Sequence, residues 1–314
     1  MQIETNKIGE GKPVFTIVTA TYNRRRTLKR TYESVRAQTY KNFEWIIVDD
    51  GSNDGTEEDV KTWIAENSFP IKFFYQENGG KPSALNRGFE HATGTYGVVL
   101  DSDDEILPHA LETFLNLWQS IPKDIEPSLS SVVVNCHDQN GKLIGTVFPK
   151  SPLYSEPIEV RLKYKVKGDK FSALKVNIIQ QYPFPIYKGK SAYEDSIWME
   201  IGKKYKEAYF NESLFRVHLE EPSITRQANP FKNAFAGFVR ERDLLNSQMR
   251  GFKWSPAYYL RCAANYRRCG IMENYSFARC LSEIHPILSK FLVILGEIPA
   301  RIKYSQDRKK FPGS

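Results

Sequence analysis

Strand-like and helix-like stretches alternate through the first hundred residues of this chain, and that alternation limits its fold more than any other feature. Val14 to Thr19 is a short β-branched run suited to a buried strand. Leu28, Tyr32 and Val35 then recur at helical spacing behind Asn23, a capping residue type. Phe43 to Val48 reads as a second strand and Thr56 to Glu66 as a second helix. Ile71 to Tyr75 is a third strand, followed by Glu77-Asn78-Gly79-Gly80 and a helix that Lys81 and Pro82 open and His91 ends. Tyr96 to Leu100 is a fourth strand, and Leu107 to Gln119 a fourth helix. Alternation of this kind predicts an α/β fold, a mostly parallel sheet flanked by helices.

Beyond residue 120 the pattern loosens. Ser131 to Asn135 and Leu143 to Val147 flank Asn140-Gly141, which predicts a hairpin. Residues 150–180 carry no clear signal. Ser191 to Tyr205 reads as a helix and Ser213 to Val217 as a strand. After Pro230 the strand signals vanish, and a helical, aromatic, basic extension follows over residues 226–314.

The composition excludes several classes. With 41% hydrophobic and 26% charged residues the chain can bury a core, so it is neither disordered nor fibrous. The net charge of +7 favours a polyanionic partner, such as a phosphorylated substrate or an anionic membrane surface. The basic residues concentrate in the tail without a nucleic-acid motif, so no nucleic-acid partner is expected. Cys136, Cys262, Cys269 and Cys280 are too few and too scattered for a disulfide framework or a zinc site. Reduced thiols in a cytoplasm are the simplest expectation. No run reaches the roughly 18 apolar residues that span a bilayer, and the N-terminus lacks the apolar stretch of a signal peptide.

In open α/β sheets, ligands collect at the carboxyl ends of the strands. Three polar features fall there: Thr19-Ala20-Thr21-Tyr22-Asn23, Val48-Asp49-Asp50-Gly51-Ser52 and Leu100-Asp101-Ser102-Asp103-Asp104. Clustered carboxylates repel one another, which a purely structural loop gains nothing from. A hard divalent cation relieves that repulsion, and Mg²⁺ or Mn²⁺ prefers oxygen ligands. On extended backbone Asp101 and Asp103, two apart, would point to one side. An isolated Asp-x-Asp also serves as a loop or a helix cap in many proteins, so its place among the other two features carries the argument.

The run Thr-Ala-Thr-Tyr-Asn-Arg, then Gln38-Thr39-Tyr40 with Phe43-Glu44, then Val-Asp-Asp-Gly-Ser-Asn-Asp-Gly-Thr resembles family 2 glycosyltransferases of the GT-A fold. Asn78-Gly79-Gly80, Ala84-Leu85-Asn86-Arg87-Gly88 and Leu-Asp-Ser-Asp-Asp continue the likeness, which covers roughly residues 13–220. The resemblance implies a GT-A (Rossmann-like) domain over residues 1–225, with a nucleotide-sugar half at 13–120 and an acceptor half at 121–225. It further implies metal-dependent, inverting transfer from a nucleotide-sugar, UDP-linked by expectation, to a saccharide or lipid-linked acceptor hydroxyl. Bacterial surface-polysaccharide assembly is the expected setting.

The same resemblance implies roles for individual residues. Tyr22, with Thr19 and Thr21 in its motif, would pack on the nucleobase; a buried tyrosine at a strand end is the plainer alternative. Asp50, or Asp49 in its place, would accept the uracil N3–H, whereas both types also form turns. Lys81 would meet the diphosphate, and Asn86 and Arg87 occupy a family position that a helix surface pair explains nearly as well. Asp103 would be the direct metal ligand, with Asp101 and Ser102 near the ribose and metal and Asp104 in support. Within Ala192-Tyr193-Glu194-Asp195-Ser196-Ile197-Trp198, Asp195 matches the catalytic base of inverting members and Glu194 is the second candidate. An acidic pair at a helix N-terminus would look the same. Trp198 would form a sugar platform or pack in a core. His218 would complete the metal shell or touch the diphosphate.

The Gln-x-x-Arg-Trp motif and the membrane-spanning helices of processive members are absent from the sequence, so one sugar per encounter is expected. Ile284, Ile287, Leu288, Phe291, Leu292 and Leu295 recur at helical spacing ahead of Arg301, Lys303, Arg308, Lys309 and Lys310. A helix packed on the protein's own domain and a basic amphipathic helix resting on the inner face of the cell membrane both fit that pattern. Two other functions remain in view. A sugar nucleotidyltransferase would carry a glycine-rich loop after the first strand, where this chain has Thr-Ala-Thr-Tyr-Asn. A nucleotide-binding module without transfer activity would not need Asp195.

Overall fold

The computed structural model describes residues 2–4, 11–187, 195–219 and 229–312, with Glu4, Asp195 and Ser196 described in backbone only. In chain order the elements are β1 (Gln2–Glu4), β2 (Phe15–Thr21), α1 (Arg25–Arg36), β3 (Phe43–Asp49), α2 (Thr56–Glu66), β4 (Ile71–Tyr75) and α3 (Lys81–Glu90). Next come β5 (Tyr96–Val99), β6 (Glu105–Ile106), α4 (Ala110–Ser120), β7 (Leu129–Asp138), β8 (Leu153–Ser155), α5 (Pro157–Leu162), β9 (Lys170–Lys175) and α6 (Val176–Ile179). The remainder are α7 (Asp195–Lys204), β10 (Lys206–Val217), α8 (Ala234–Ser247), α9 (Pro256–Met272), α10 (Phe277–Ser282) and α11 (Ile287–Lys310).

These elements form two compact units. The first comprises residues 1–156, 166–184 and 205–221; the second comprises 157–165, 185–204 and 222–314. Helices α5 and α7, which precede residue 225 in the chain, therefore group with the C-terminal extension.

The first unit is a ten-stranded sheet in the order β1-β4-β3-β2-β5-β9-β7-β10-β6, with β8 paired to β10. Strands β4, β3, β2 and β5 run parallel, as the βα alternation demands. Strand β3 is buried on both faces along its whole length, its two carboxylates Glu44 and Asp49 included. On one face Phe15, Ile17, Trp45 and Ile47 meet Leu28, Tyr32 and Val35 of α1, Val60 and Trp63 of α2, and Phe114 of α4. On the other, α3 approaches β2 so closely that a Cβ on Gly88 would lie 2.4 Å from Val18 Cγ1.

The structure corrects the expected hairpin. The Asn140-Gly141 turn forms, with Gly141 N–H donating to Asp138 O at 3.0 Å and Gly141 at φ 79°. Its second arm leaves after a single bridge between His137 and Leu143. Both edges of β7 are already taken, by β9 on one side and β10 on the other, so no place remains for a hairpin partner. Residues 145–146 turn instead toward 167–168, where Thr146 N–H donates to Lys167 O at 3.1 Å. The unassigned stretch 150–180 supplies β8 and β9.

The second unit is helical. Its core joins Ile158 and Leu162 of α5, Phe238, Val239, Leu244 and Leu245 of α8, Tyr259 and Tyr266 of α9, and Leu292 and Val293 of α11. Gly296 allows α11 to lie against α9, since a Cβ there would stand 2.8 Å from Ala264 N. Buried ions in this unit meet partners: Arg267 Nε donates to Glu297 Oε2 at 2.6 Å and Arg268 Nε to Asp307 Oδ2 at 2.5 Å. No described helix is long and apolar enough to cross a membrane.

Candidate active site

Because β2, β3, β4 and β5 are parallel, Tyr22, Asp50, Gln76 and the acidic turn after Leu100 all emerge at one edge of the sheet. That edge is where a strand's last carbonyl and the next helix's first N–H leave room for a polar ligand.

The acidic turn is the most charged feature there. Asp101, Asp103 and Asp104 each offer a carboxylate oxygen, and these lie within 4.8 Å of one another. Asp104 N–H donates to Asp101 O at 3.2 Å, which curls the backbone and brings the carboxylates together. Helix α1 holds the turn from below: Thr31 Oγ1 donates to Asp104 O at 2.9 Å and the Arg30 guanidinium donates to Asp103 O. Burial, then the neighbouring Asp101, pushes the Asp103 carboxyl above its ordinary range. Burial pushes Asp104 up to about 7, even though its Oδ1 accepts the His218 backbone N–H at 2.9 Å. These groups resist carrying three negative charges at once. An oxygen-only set of crowded carboxylates fits a hard divalent cation.

Lys81 and Asp50 connect the turn to the rest of the edge. Lys81 Nζ lies 2.8 Å from Asp101 Oδ1, both side chains being about 40% exposed. Such a half-exposed pair contributes about 0–1 kcal/mol, so an anionic ligand can separate it at little cost. Asp50 is buried, and both its oxygens are engaged. Oδ1 accepts Gln76 Nε2 at 2.7 Å and Gly79 N–H at 2.9 Å, while Oδ2 accepts Gly80 N–H at 2.7 Å. It thereby shapes the glycine turn that presents Lys81. Gly80 sits at φ 85°, a conformation that favours glycine. Asp49 is fully buried; Oδ1 accepts Ser52 N–H at 2.8 Å, and burial raises its carboxyl.

The remaining expected residues occupy varied places. Tyr22 stands 50% exposed at the end of β2, available to a flat ligand. Thr19 is fully buried, its hydroxyl accepting the Trp45 indole N–H at 2.9 Å, so it supports the sheet beneath the edge. Thr21 and Ser102 are also buried. Asn86 clamps Phe184, donating to its carbonyl at 2.8 Å and accepting its N–H at 2.7 Å. Arg87 donates to Tyr75 O at 2.8 Å and covers the Phe74 ring. The carboxylate group does not include His218, whose Nε2 lies 2.6 Å from Glu105 Oε2. Glu194 lies outside the described residues. Asp195 begins α7, and Trp198 follows one turn later on the same helix.

Sequence reasoning missed the residues that hold the site from outside: Arg30, Thr31, Gln76 and Glu105. Gln76 had a usable signal, since it directly follows an apolar strand as Asp50 does. Arg30 and Thr31 lie on a helix whose polar positions look like any solvated face.

An α/β sheet with this strand order and an acidic turn at its carboxyl edge is a GT-A-type fold, and comparison with solved structures agrees. Staphylococcus aureus TarS in complex with UDP-GlcNAc superposes with a TM-score of 0.63 at 17% identity, over 93% of this chain and 91% of that one. The mannosyltransferase PcManGT of Pyrobaculum calidifontis, in complex with GDP-Man and Mn²⁺, gives 0.56 at 18% identity over 95% and 85%. Among sequences, the Campylobacter jejuni GalNAc(5)-diNAcBac-PP-undecaprenol β-1,3-glucosyltransferase is 26% identical over 287 residues, covering 86% of this chain and 87% of that protein. An uncharacterised glycosyltransferase of Rickettsia bellii is 29% identical over 171 residues, but the match spans only 24% of that longer protein. The model of glycosyl transferase family 2 matches residues 16–171. The chain belongs to that family and is a glycosyltransferase.

Proposed function

We propose that this enzyme moves a sugar from a UDP-sugar to a hydroxyl of a lipid-linked saccharide, with inversion and one sugar per encounter, in the building of a bacterial surface glycan. The observation that carries the donor half is the group of three carboxylates at the carboxyl end of β5, with Lys81 beside it. Asp103 and Asp101 would hold Mg²⁺ or Mn²⁺, with Asp104 behind them. Bound there, the ion supplies charge neutralisation for the departing nucleoside diphosphate.

The chain's own residues do the rest. Tyr22 offers an exposed ring for the base to stack on, worth about 1–3 kcal/mol. Asp50 keeps the glycine turn in place and so orients Lys81 toward the phosphates. Lys81 exchanges Asp101 for a phosphate oxygen as the donor enters. Inversion is a single displacement at the anomeric carbon, so one carboxylate must take the acceptor proton. Asp195 is assigned that task on its match to the family motif, with Glu194 as the alternative. The uridine preference is supported by the likeness to the UDP-GlcNAc complex, and the lipid-linked acceptor by the name of the Campylobacter relative.

Thermal stabilisation by a panel of UDP-glucose, UDP-GlcNAc and GDP-mannose, each with and without Mn²⁺, tests the donor. A ligand at 100 times its Kd should stabilise the fold by about 2.7 kcal/mol. We expect a Mn²⁺-dependent rise in Tm with at least one UDP-sugar. A rise with GDP-mannose alone overturns the uridine assignment, and no rise with any donor overturns the proposed site.

A further inference from the structure

Helix α11 buries one face in the second unit and leaves the opposite face apolar and exposed. Leu292, Val293, Gly296 and Ala300 point inward. Ile287, Phe291, Ile294, Leu295, Ile298 and Ile302 are between 50% and 87% exposed. At 100° per residue these six fall within a sector of about 100°. Seven of the eleven large apolar side chains exposed among the described residues lie on this one helix. Apolar side chains scattered singly over a surface need no explanation, whereas a contiguous stripe marks a contact.

The charges indicate what that contact is. Over its 24 residues the helix carries six cations, Lys290, Arg301, Lys303, Arg308, Lys309 and Lys310, all exposed. Its two carboxylates, Glu297 and Asp307, turn toward α9, where Arg267 and Arg268 bind them. Acidic groups are thus drawn toward the body of the unit, while the outer surface combines isoleucines with lysines and arginines. A partner that matches both must be apolar in its interior and anionic at its surface. A second copy of this helix would add more cations, while its own two carboxylates are already engaged by α9 and do not neutralise them. The helix is amphipathic on the outside and is not apolar enough to span a bilayer.

We propose that α11 is a membrane-docking helix: its exposed isoleucine stripe enters the interface of an anionic bilayer, with the basic residues at its C-terminal end on the headgroups. The helix would lie in the membrane plane, anchored to the unit by its buried face. The inference rests on this helix alone and is read without sugar transfer, so it fails separately from the proposed reaction.

Co-sedimentation of the full chain with vesicles of phosphatidylcholine, with and without phosphatidylglycerol, tests it. We expect binding to the anionic vesicles to be at least tenfold tighter and to weaken with added salt. The triple variant Phe291→Ser, Ile294→Ser, Ile298→Ser should lower that binding at least tenfold. Because these side chains are exposed, its melting temperature should stay at the wild-type value. A second variant, Lys309→Glu with Lys310→Glu, keeps the stripe and should lose the preference for anionic lipid. Unchanged binding by the triple variant, or no binding by the wild-type chain, overturns the proposal. So does a wild-type dimer in light scattering that the triple variant dissolves without any vesicle binding, which would assign the stripe to contact between copies.

Discussion

Two sets of acidic side chains, one in each unit, keep contrasting company. In the helical unit, Glu297 and Asp307 each receive an arginine at 2.6 Å or closer. In the sheet unit, Asp101, Asp103 and Asp104 crowd one another, and burial drives Asp103 and Asp104 upward. A buried carboxylate with its own cation is an internal contact, complete as it stands. Carboxylates gathered at the mouth of a sheet cost the fold stability, and they make sense as a place for charge that arrives from outside.

The largest expected effect separates those two uses. Asp103→Asn should reduce transfer about 10²- to 10³-fold, measured as initial rate with saturating donor and Mn²⁺. Its effect on stability should have the opposite sign. A carboxyl raised in the folded state weakens the fold as pH climbs above its ordinary range, so the amide should leave Tm at pH 7 equal or higher. A lower Tm with full activity would erase the distinction between the units.

Next in size is Arg267→Ala. The guanidinium is almost wholly buried, and its loss leaves Glu297 without its inner partner, a cost of about 3 kcal/mol. Denaturant unfolding of the full chain measures it. A cost near zero would mean that the helical unit's ion pairs are no more built in than surface pairs.

The smallest effect sharpens the comparison inside the sheet unit. Glu44, in β3, is buried like Asp104 but well partnered: it accepts Thr16 Oγ1, Thr93 N–H and Thr93 Oγ1 at 2.7 Å and pairs with Lys72 at 2.7 Å. Burial alone would raise it, yet Lys72, Thr93 and Thr16 outweigh burial and hold it below the usual carboxylate range. Its contribution is therefore present above pH about 4 and lost as pH falls further. Glu44→Gln should cost about 2 kcal/mol at pH 7, and the gap from wild type should close in acid melts below pH 4. A gap independent of pH would show that the charge itself contributes nothing.

Much of the sheet unit was legible because local rules and the fold agree there. Val14 to Thr19, Phe43 to Val48 and Ile71 to Tyr75 read as strands from composition alone, and the acidic turn stood out at a strand's end. The 143–147 strand failed because pairing is decided by which edges are free, and β7 had none. Thr19 and Asn86 show the same limit within the site. Their motif positions were visible, but only packing reveals that one caps Trp45 and the other clamps Phe184.

By itself, the sequence determined the α/β alternation, the family motifs and the basic, amphipathic tail, since periodicity and residue type are local properties. Tertiary structure decided the rest. It sent α5 and α7 to the helical unit, joined Asp50 to the glycine turn before Lys81, and turned the acidic face of α11 inward and its isoleucines outward. Those outcomes depend on which surfaces meet across long stretches of chain, a question no local pattern poses. A helix with apolar residues on two faces shows in sequence only that it is apolar, and its neighbours choose which face to cover.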